Sequence, residues 1–244
     1  MRFTALAVNV PRYVAHLHSR IRNHPNASVI QATLPLREGL PATLQHALTL
    51  ASLNTSSCAG IVNATGLSAR HLYSADPSPA AQAEAARLHP IRGQTVLVRG
   101  ELKEIRTLQS FDPSTGQTGI TYAIPRPGSA TTVLGGCNIK DEWSTEVDQA
   151  MTQEILGKCA ELVPELCKDG RFEIVKAQVG LRPGRTGGAR VEREMVRIGD
   201  GREEIVVVHA YGMAGAGFQN SVGVARKVLR LLQSEGQSST GSKL

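Results

Sequence analysis

Aromatic side chains are scarce in this chain: one tryptophan, four tyrosines and four phenylalanines among 244 residues. With few rings on which bases could stack, and with basic residues scattered along the chain, the net charge of +6 does not point to nucleic acid. It reads as a solvated surface. No stretch reaches the roughly 18 uncharged apolar residues of a membrane-spanning helix. The opening Met1–Arg2–Phe3–Thr4 does not read as a secretory signal peptide. The cysteines at 58, 137, 159 and 167 form no C-x-x-C pair, which disfavours zinc, and no metal site is expected. They read as reduced, mostly buried thiols. Also missing is a G-x-G-x-x-G fingerprint following an N-terminal strand, the device that seats a dinucleotide's pyrophosphate.

What is present has α/β character at both ends and β character in the middle. Residues 4–10, Thr4–Ala5–Leu6–Ala7–Val8–Asn9–Val10, open the chain ahead of the first helix. Pro11, with Val14, Leu17 and Ile21 at helical spacing, marks an amphipathic helix over 11–23. A short strand is expected at 29–34 and a partly helical stretch at 35–58. The apolar run 59–66 suits a buried strand, which makes the glycosylation sequon at Asn63 accidental. Residues 73–89 read as an exposed loop with room for a short helix. Strands follow at 95–99, 119–124 and 131–136, then a helix over 144–162 with Val147, Met151, Ile155, Cys159 and Leu162 on one face. Further strands are expected near 172–181, 189–198 and 204–210, a last helix over 217–234, and a flexible tail over 235–244.

The most informative stretch is Val206–Val207–Val208–His209–Ala210–Tyr211, followed by Gly212–Met213–Ala214–Gly215–Ala216–Gly217 and a helix. An apolar strand enters a glycine-rich turn, and the helix behind it aims its N–H groups at whatever the turn faces. About thirty residues upstream, Val179–Gly180–Leu181–Arg182–Pro183 puts an arginine at a strand end. Three further blocks complete the pattern. They are Val62–Asn63–Ala64–Thr65–Gly66, Arg92–Gly93–Gln94, and Tyr122–Ala123–Ile124–Pro125–Arg126 with Leu134–Gly135–Gly136–Cys137 and Trp143 behind it. Together they resemble the C-terminal part of the FAD-dependent D-amino-acid oxidases, over roughly residues 4–232.

The resemblance implies an α+β fold. Residues 1–90 would be a partial FAD-binding domain and 91–200 a substrate-binding domain on a large mixed or antiparallel sheet. Residues 201–234 would return to the FAD-binding domain, and 235–244 would be the tail. It implies that Arg182 and Tyr122 hold the substrate carboxylate and that the Gly215 backbone lies close to the substrate amine. FAD would be contacted by Leu34, Thr65, Arg182, Ala214, Gly215, Ala216, Gly217, Phe218 and Gln219. A guanidinium suits a carboxylate because its fork donates two parallel bonds, which lysine cannot. Arg185 and Arg190 read as surface or pocket-rim residues. His209, inside the strand, reads as no catalytic base, and the chemistry asks for no side-chain acid or base.

The implied reaction takes a D-amino acid and oxygen to a 2-oxo acid, ammonia and hydrogen peroxide. The closing Ser242–Lys243–Leu244 matches the tripeptide read by the peroxisomal import receptor, so the peroxisome is the expected location. The resemblance also admits a homodimer. Two features depart from the pattern. Asn138 stands where many relatives carry an aromatic residue, and the N-terminal fingerprint is missing. Three readings follow: a truncated D-amino-acid oxidase, a non-catalytic peroxisomal interaction protein, or a relative specific for D-aspartate. Without the fingerprint half, several apolar faces should lack partners.

Overall fold

The structure, a computed structural model, describes residues 4–112, 117–199 and 201–234. The tripeptide Ser242–Lys243–Leu244 and the 235–244 tail lie outside the described residues. In chain order the elements begin with α1 (Val10–Arg22), α2 (Leu40–Leu50), β1 (Ile61–Asn63), α3 (Ala69–Ser74), α4 (Pro79–Arg87) and β2 (Leu88–Arg99). They continue with β3 (Arg106–Asp112), β4 (Gln117–Arg126), β5 (Thr131–Gly135), β6 (Ile139–Lys140), α5 (Gln149–Leu162), β7 (Cys167–Lys168) and β8 (Arg171–Phe172). The last are β9 (Ile174–Arg185), β10 (Arg190–Ile198), β11 (Glu203–Tyr211) and α6 (Gly217–Gln233). The architecture is α+β, as the sequence leads one to expect.

The chain forms two compact units, Met1–Val29 with Pro90–Leu181, and Ile30–His89 with Arg182–Leu244. The sequence-based boundaries keep residues 1–90 together. In the structure residues 1–29 group instead with 90–181. The cause is local: at the start of α1 the Asn9 amide donates to Pro127 O at 3.0 Å, and Arg12 Nη1 donates to Gly128 O at 3.4 Å.

In the first unit the strand order is β3-β4-β5-β2-β6, with β9 also pairing β2; β3 with β4, β4 with β5, β5 with β2 and β2 with β6 all run antiparallel. α5 packs against this sheet. Ile155 and Cys159 from the helix meet Val96, Val98, Ala123 and Leu134 from the strands in one apolar cluster. Burial pushes the Cys159 thiol up to about 11, so it is a small packing residue and no nucleophile. The four cysteines form no disulfide; mostly buried thiols are expected from the sequence, but only Cys159 is buried and the other three are half-buried.

α5 starts at Gln149 and not near 144, and a polar clamp explains the difference. Asp148 caps the helix by accepting from Met151 N at 3.0 Å. The residues before it are held extended by the Arg92–Gly93–Gln94 block. Arg92 donates to Ser144 O at 3.1 Å and Glu146 O at 2.6 Å. The fully buried Gln94 accepts from Asp148 N at 2.9 Å and donates to Asp148 O at 2.6 Å.

In the second unit the order is β1-β11-β10. β1 runs parallel to β11 with Asn63 opposite His209, and β10 runs antiparallel to it. β11 is central because its β-branched run suits a strand covered on both faces; Ile205, Val207 and Val208 are all buried. Leu44, Leu48, Leu72 and Leu88 complete that core.

Several expected elements differ. Residues 29–34, expected as a short strand, form none. An apolar composition cannot supply the neighbouring ladder that a strand requires, and Val29 and Ile30 are each 51% exposed. The expected loop at 73–89 is largely helical. Ser78 caps α4, Pro79 occupies its first turn, and Ala81, Glu84 and Ala85 are buried. β3, which pairs with β4 from Arg106 to Asp112, carries too little period-2 alternation to be foreseen. No residue of α1 is buried, so its Val14, Leu17 and Ile21 stripe stays exposed, as does the Phe218, Val222 and Leu229 face of α6.

Replacing Gln94 by Ala should lower stability by about 3 kcal/mol, because buried backbone partners at Asp148 lose their bonds. A urea unfolding midpoint unchanged from wild type would show that water replaces the amide.

Candidate active site

β1 and β11 are parallel neighbours, so the turns that follow them leave the sheet at the same edge. In open α/β sheets that carboxyl edge is where ligands bind. After β1 comes Thr65, half-buried, whose N–H and hydroxyl both donate to Asn63 Oδ1, at 3.2 and 2.8 Å. After β11 comes the glycine turn. Gly212 has φ +82° and Ala214 has φ +48°, the left-handed conformation that glycine tolerates and alanine rarely adopts.

The turn ends in a 3-10 segment, Ala214–Ala216, and α6 starts directly behind it. No side chain caps α6 and its first turn holds no acidic residue. Among the described residues no side chain caps these leading N–H groups, which stand at the electropositive end of a helix. Gly215, Gly217, Phe218 and Gln219 are exposed, and Ala214 and Ala216 half-buried.

Arg182 lies near the end of β9 and is half-buried. A Cβ placed on Gly215 would sit 3.6 Å from Arg182 Cδ and 3.9 Å from its Nε. The arginine stem thus passes directly over the turn. The structure brings together Arg182, Gly215 and the rest of the 212–219 segment at the edge that Thr65 shares. Leu34 sits in an extended segment, its carbonyl accepting from Leu36 N at 2.9 Å, and no bond among the described residues ties it to that edge.

Tyr122 belongs to the first unit, on β4 opposite Gly135. A Cβ on either Gly135 or Gly136 would collide with its ring, so the two glycines form the bed on which the tyrosine lies. This gives the Leu134–Gly135–Gly136–Cys137 block a physical meaning. Asn138 beyond it is exposed.

Arg185 and Arg190 are not surface residues. Their side chains are 7% and 14% exposed. Arg185 forms a bidentate pair with Glu84, Nε to Oε1 and Nη2 to Oε2, each at 2.8 Å. Arg190 donates to the Tyr73 hydroxyl at 2.8 Å, the Tyr211 hydroxyl at 3.1 Å and Glu194 Oε2 at 2.8 Å. Their carboxylate partners come from α4 and from β10 itself. The pairing is hidden in the sequence because Glu84 lies 101 residues from Arg185, in a stretch that reads as a loop.

His209 is fully buried, with Nε2 2.9 Å from Glu194 Oε2 and Nδ1 3.2 Å from the Asn63 amide. Both ring nitrogens are engaged inside the unit. Burial would raise the Glu84 carboxyl. The bonds from Arg185 and Tyr211 outweigh that and hold it below its ordinary 4.5. Burial, and then the neighbouring Tyr73 hydroxyl, push the Tyr211 phenol far up. No group of His, Cys, Asp or Glu among the described residues is placed to hold a metal.

A glycine turn off a parallel strand, an uncapped helix and an arginine crossing them meet at one edge of the sheet. The family model of the DAO, FAD dependent oxidoreductases matches residues 10–231. The D-amino-acid oxidase of Rubrobacter xylanophilus is 34% identical over 230 residues, covering 94% of this chain and 58% of the relative. The D-aspartate oxidase of Talaromyces thermophilus is 36% identical over 147 residues, 60% of this chain and 37% of the relative. Among solved structures, glycine oxidase from Bacillus cereus superposes with a TM-score of 0.53 at 19% identity, over 75% of this chain and 45% of that one. The chain belongs to the FAD dependent oxidoreductase family defined by DAO. It spans about half the length of the curated relatives it matches.

Because the Glu84 carboxyl is held below its ordinary value, its pairing stabilises the second unit fully above pH 4.5 and fades as pH falls through the lowered value. The stability gap between wild type and Glu84→Gln should therefore stay level from about pH 7 to about pH 5 and shrink at lower pH. Urea midpoints measured across that range check it, and a gap independent of pH would contradict it.

Proposed function

We propose that this chain supplies the substrate-binding and flavin-contacting residues of an FAD-dependent oxidase of D-amino acids. The single observation that supports this best is Arg182 lying across Gly215 at the mouth of an uncapped helix. A fixed cation and a row of backbone donors meet there, and an amino acid's carboxylate and a flavin's polar edge need those two things.

The residues divide the work as follows. Arg182 takes the substrate carboxylate through its two-pronged fork, and the Tyr122 hydroxyl donates to the same group. The Gly215 carbonyl accepts from the substrate amine. The N–H groups of 214–219 face the flavin's polar edge, where they stabilise negative charge without reorganising. Thr65 and Leu34 line the flavin. FAD, when bound, supplies the redox chemistry, taking a hydride from Cα and delivering the electrons to oxygen as hydrogen peroxide. The imino acid left behind takes up water and releases ammonia, giving the 2-oxo acid. The protein's share is mainly orientation, since presenting one face of Cα selects the D configuration.

A second reading, selectivity for D-aspartate, is favoured by the relative of that name. A third, an interaction protein without catalysis, is the outcome if flavin does not bind.

The test is to add FAD to the purified chain and record the visible flavin bands before and after D-alanine, D-aspartate or L-alanine. Bleaching by a D- and not the L-isomer is expected. Arg182→Lys should raise the half-bleaching concentration about 100-fold, because lysine cannot make the bidentate pair. A colourless chain that takes up no flavin would sink the catalytic reading and leave the interaction protein.

A further inference from the structure

One strand end touches both ends of the glycine turn. At Arg182, β9 lies over Gly215. Three residues later Arg185 packs its aliphatic stem on Gly212, where a Cβ would fall 2.8 Å from Arg185 Cβ and 3.2 Å from its Cδ. Gly212 is therefore required twice, for its φ of +82° and for this close approach.

The head group of Arg185 has no freedom. Two of its nitrogens bond Glu84, and Nη1 donates to Gly188 O at 2.8 Å. Glu84 Oε1 also accepts from the Tyr211 hydroxyl at 3.0 Å, and Tyr211 is the residue just before Gly212. The entry to the turn is thus gripped through the Tyr211 side chain by Glu84 and through the Gly212 backbone by Arg185. Tyr211 is steadied in turn by Arg190, 3.1 Å away, and by the Tyr73 hydroxyl at 3.2 Å.

We propose that Glu84 and Arg185 are positioning residues that set the register of the 212–217 turn against Arg182. They thereby align the flavin-facing amides with the group that holds the substrate carboxylate. This rests on the oxidase reading above. Burying two charges gains little net stability, since desolvation consumes most of their attraction, whereas a locked fork defines one geometry. Lysine at 185 would keep the charge and lose the fork. A leucine–methionine pair at 84 and 185 would keep the packing and lose the grip.

The experiment uses the full 244-residue chain, as wild type, Arg185→Lys, and the double variant Glu84→Leu/Arg185→Met. Hydrogen exchange is read on peptides covering 212–222, with α2 and β10 peptides from the same unit as controls, first without flavin. The turn amides of both variants should exchange at least about tenfold faster, with controls unchanged, because only local opening becomes easier. The double variant should melt close to wild type. FAD is then titrated, and its dissociation constant should rise about tenfold in Arg185→Lys, following the loosened turn.

Turn exchange equal to wild type overturns the proposal. So does a uniform rise across all peptides, which would make the pair a stability element and nothing more. If wild type takes up no FAD, the oxidase reading fails for this chain, and the exchange comparison still decides whether the pair sets the turn.

Discussion

The buried pair between Glu84 and Arg185 ties together three segments that the chain delivers separately. Glu84 arrives on α4, Arg185 at the end of β9, and Tyr211 at the end of β11. An isolated guanidinium or carboxylate in that interior would cost several kcal/mol, so neither can be there without the other. Bidentate geometry makes the match directional, and the Tyr211 hydroxyl completes the carboxylate's shell. Around this centre Arg190, Glu194, His209, Asn63 and Tyr73 extend a hydrogen-bonded network behind the sheet edge. The polar interior serves as a rigid back wall, and the glycine turn is the surface it presents.

The first unit solves a similar problem without charge pairs. Arg92 is buried and satisfied by carbonyl oxygens, and Gln94 uses both ends of its amide on the segment that leads into α5. Tyr122 is seated by absence: two glycines leave the space its ring occupies. In both units a candidate site side chain is held by small or polar neighbours whose identities look ordinary in isolation.

Much of this was legible in the sequence where a local rule decides the outcome. The β-branched run ending at Tyr211 announced β11, the glycines after it announced the turn, and the Ile155 and Cys159 spacing announced α5. Arg182 was found by its place at a strand end, and the structure sets it over Gly215. What escaped depends on distant partners. The apolar residues at 29–34 have strand composition but no neighbour to pair with. Arg185 and Arg190 looked like surface charges because nothing near them in sequence reveals Glu84 or the Tyr73 and Tyr211 hydroxyls. Glu84 itself, in a run of alanines and prolines, carried no local sign of burial. Asp148 moved the start of α5, since a cap outweighs a few residues of favourable periodicity.

The parallel pairing of β1 with β11 also has a temporal side. Ile61 cannot meet Val207 until the ribosome has made the strand that carries it, well over a hundred residues later. The first unit's sheet, whose members mostly lie between residues 88 and 185, is complete before that. Synthesis therefore imposes an order in which the inserted unit closes first while 30–89 waits with its leucines unsheltered. That interval ends with β11, the last strand to emerge.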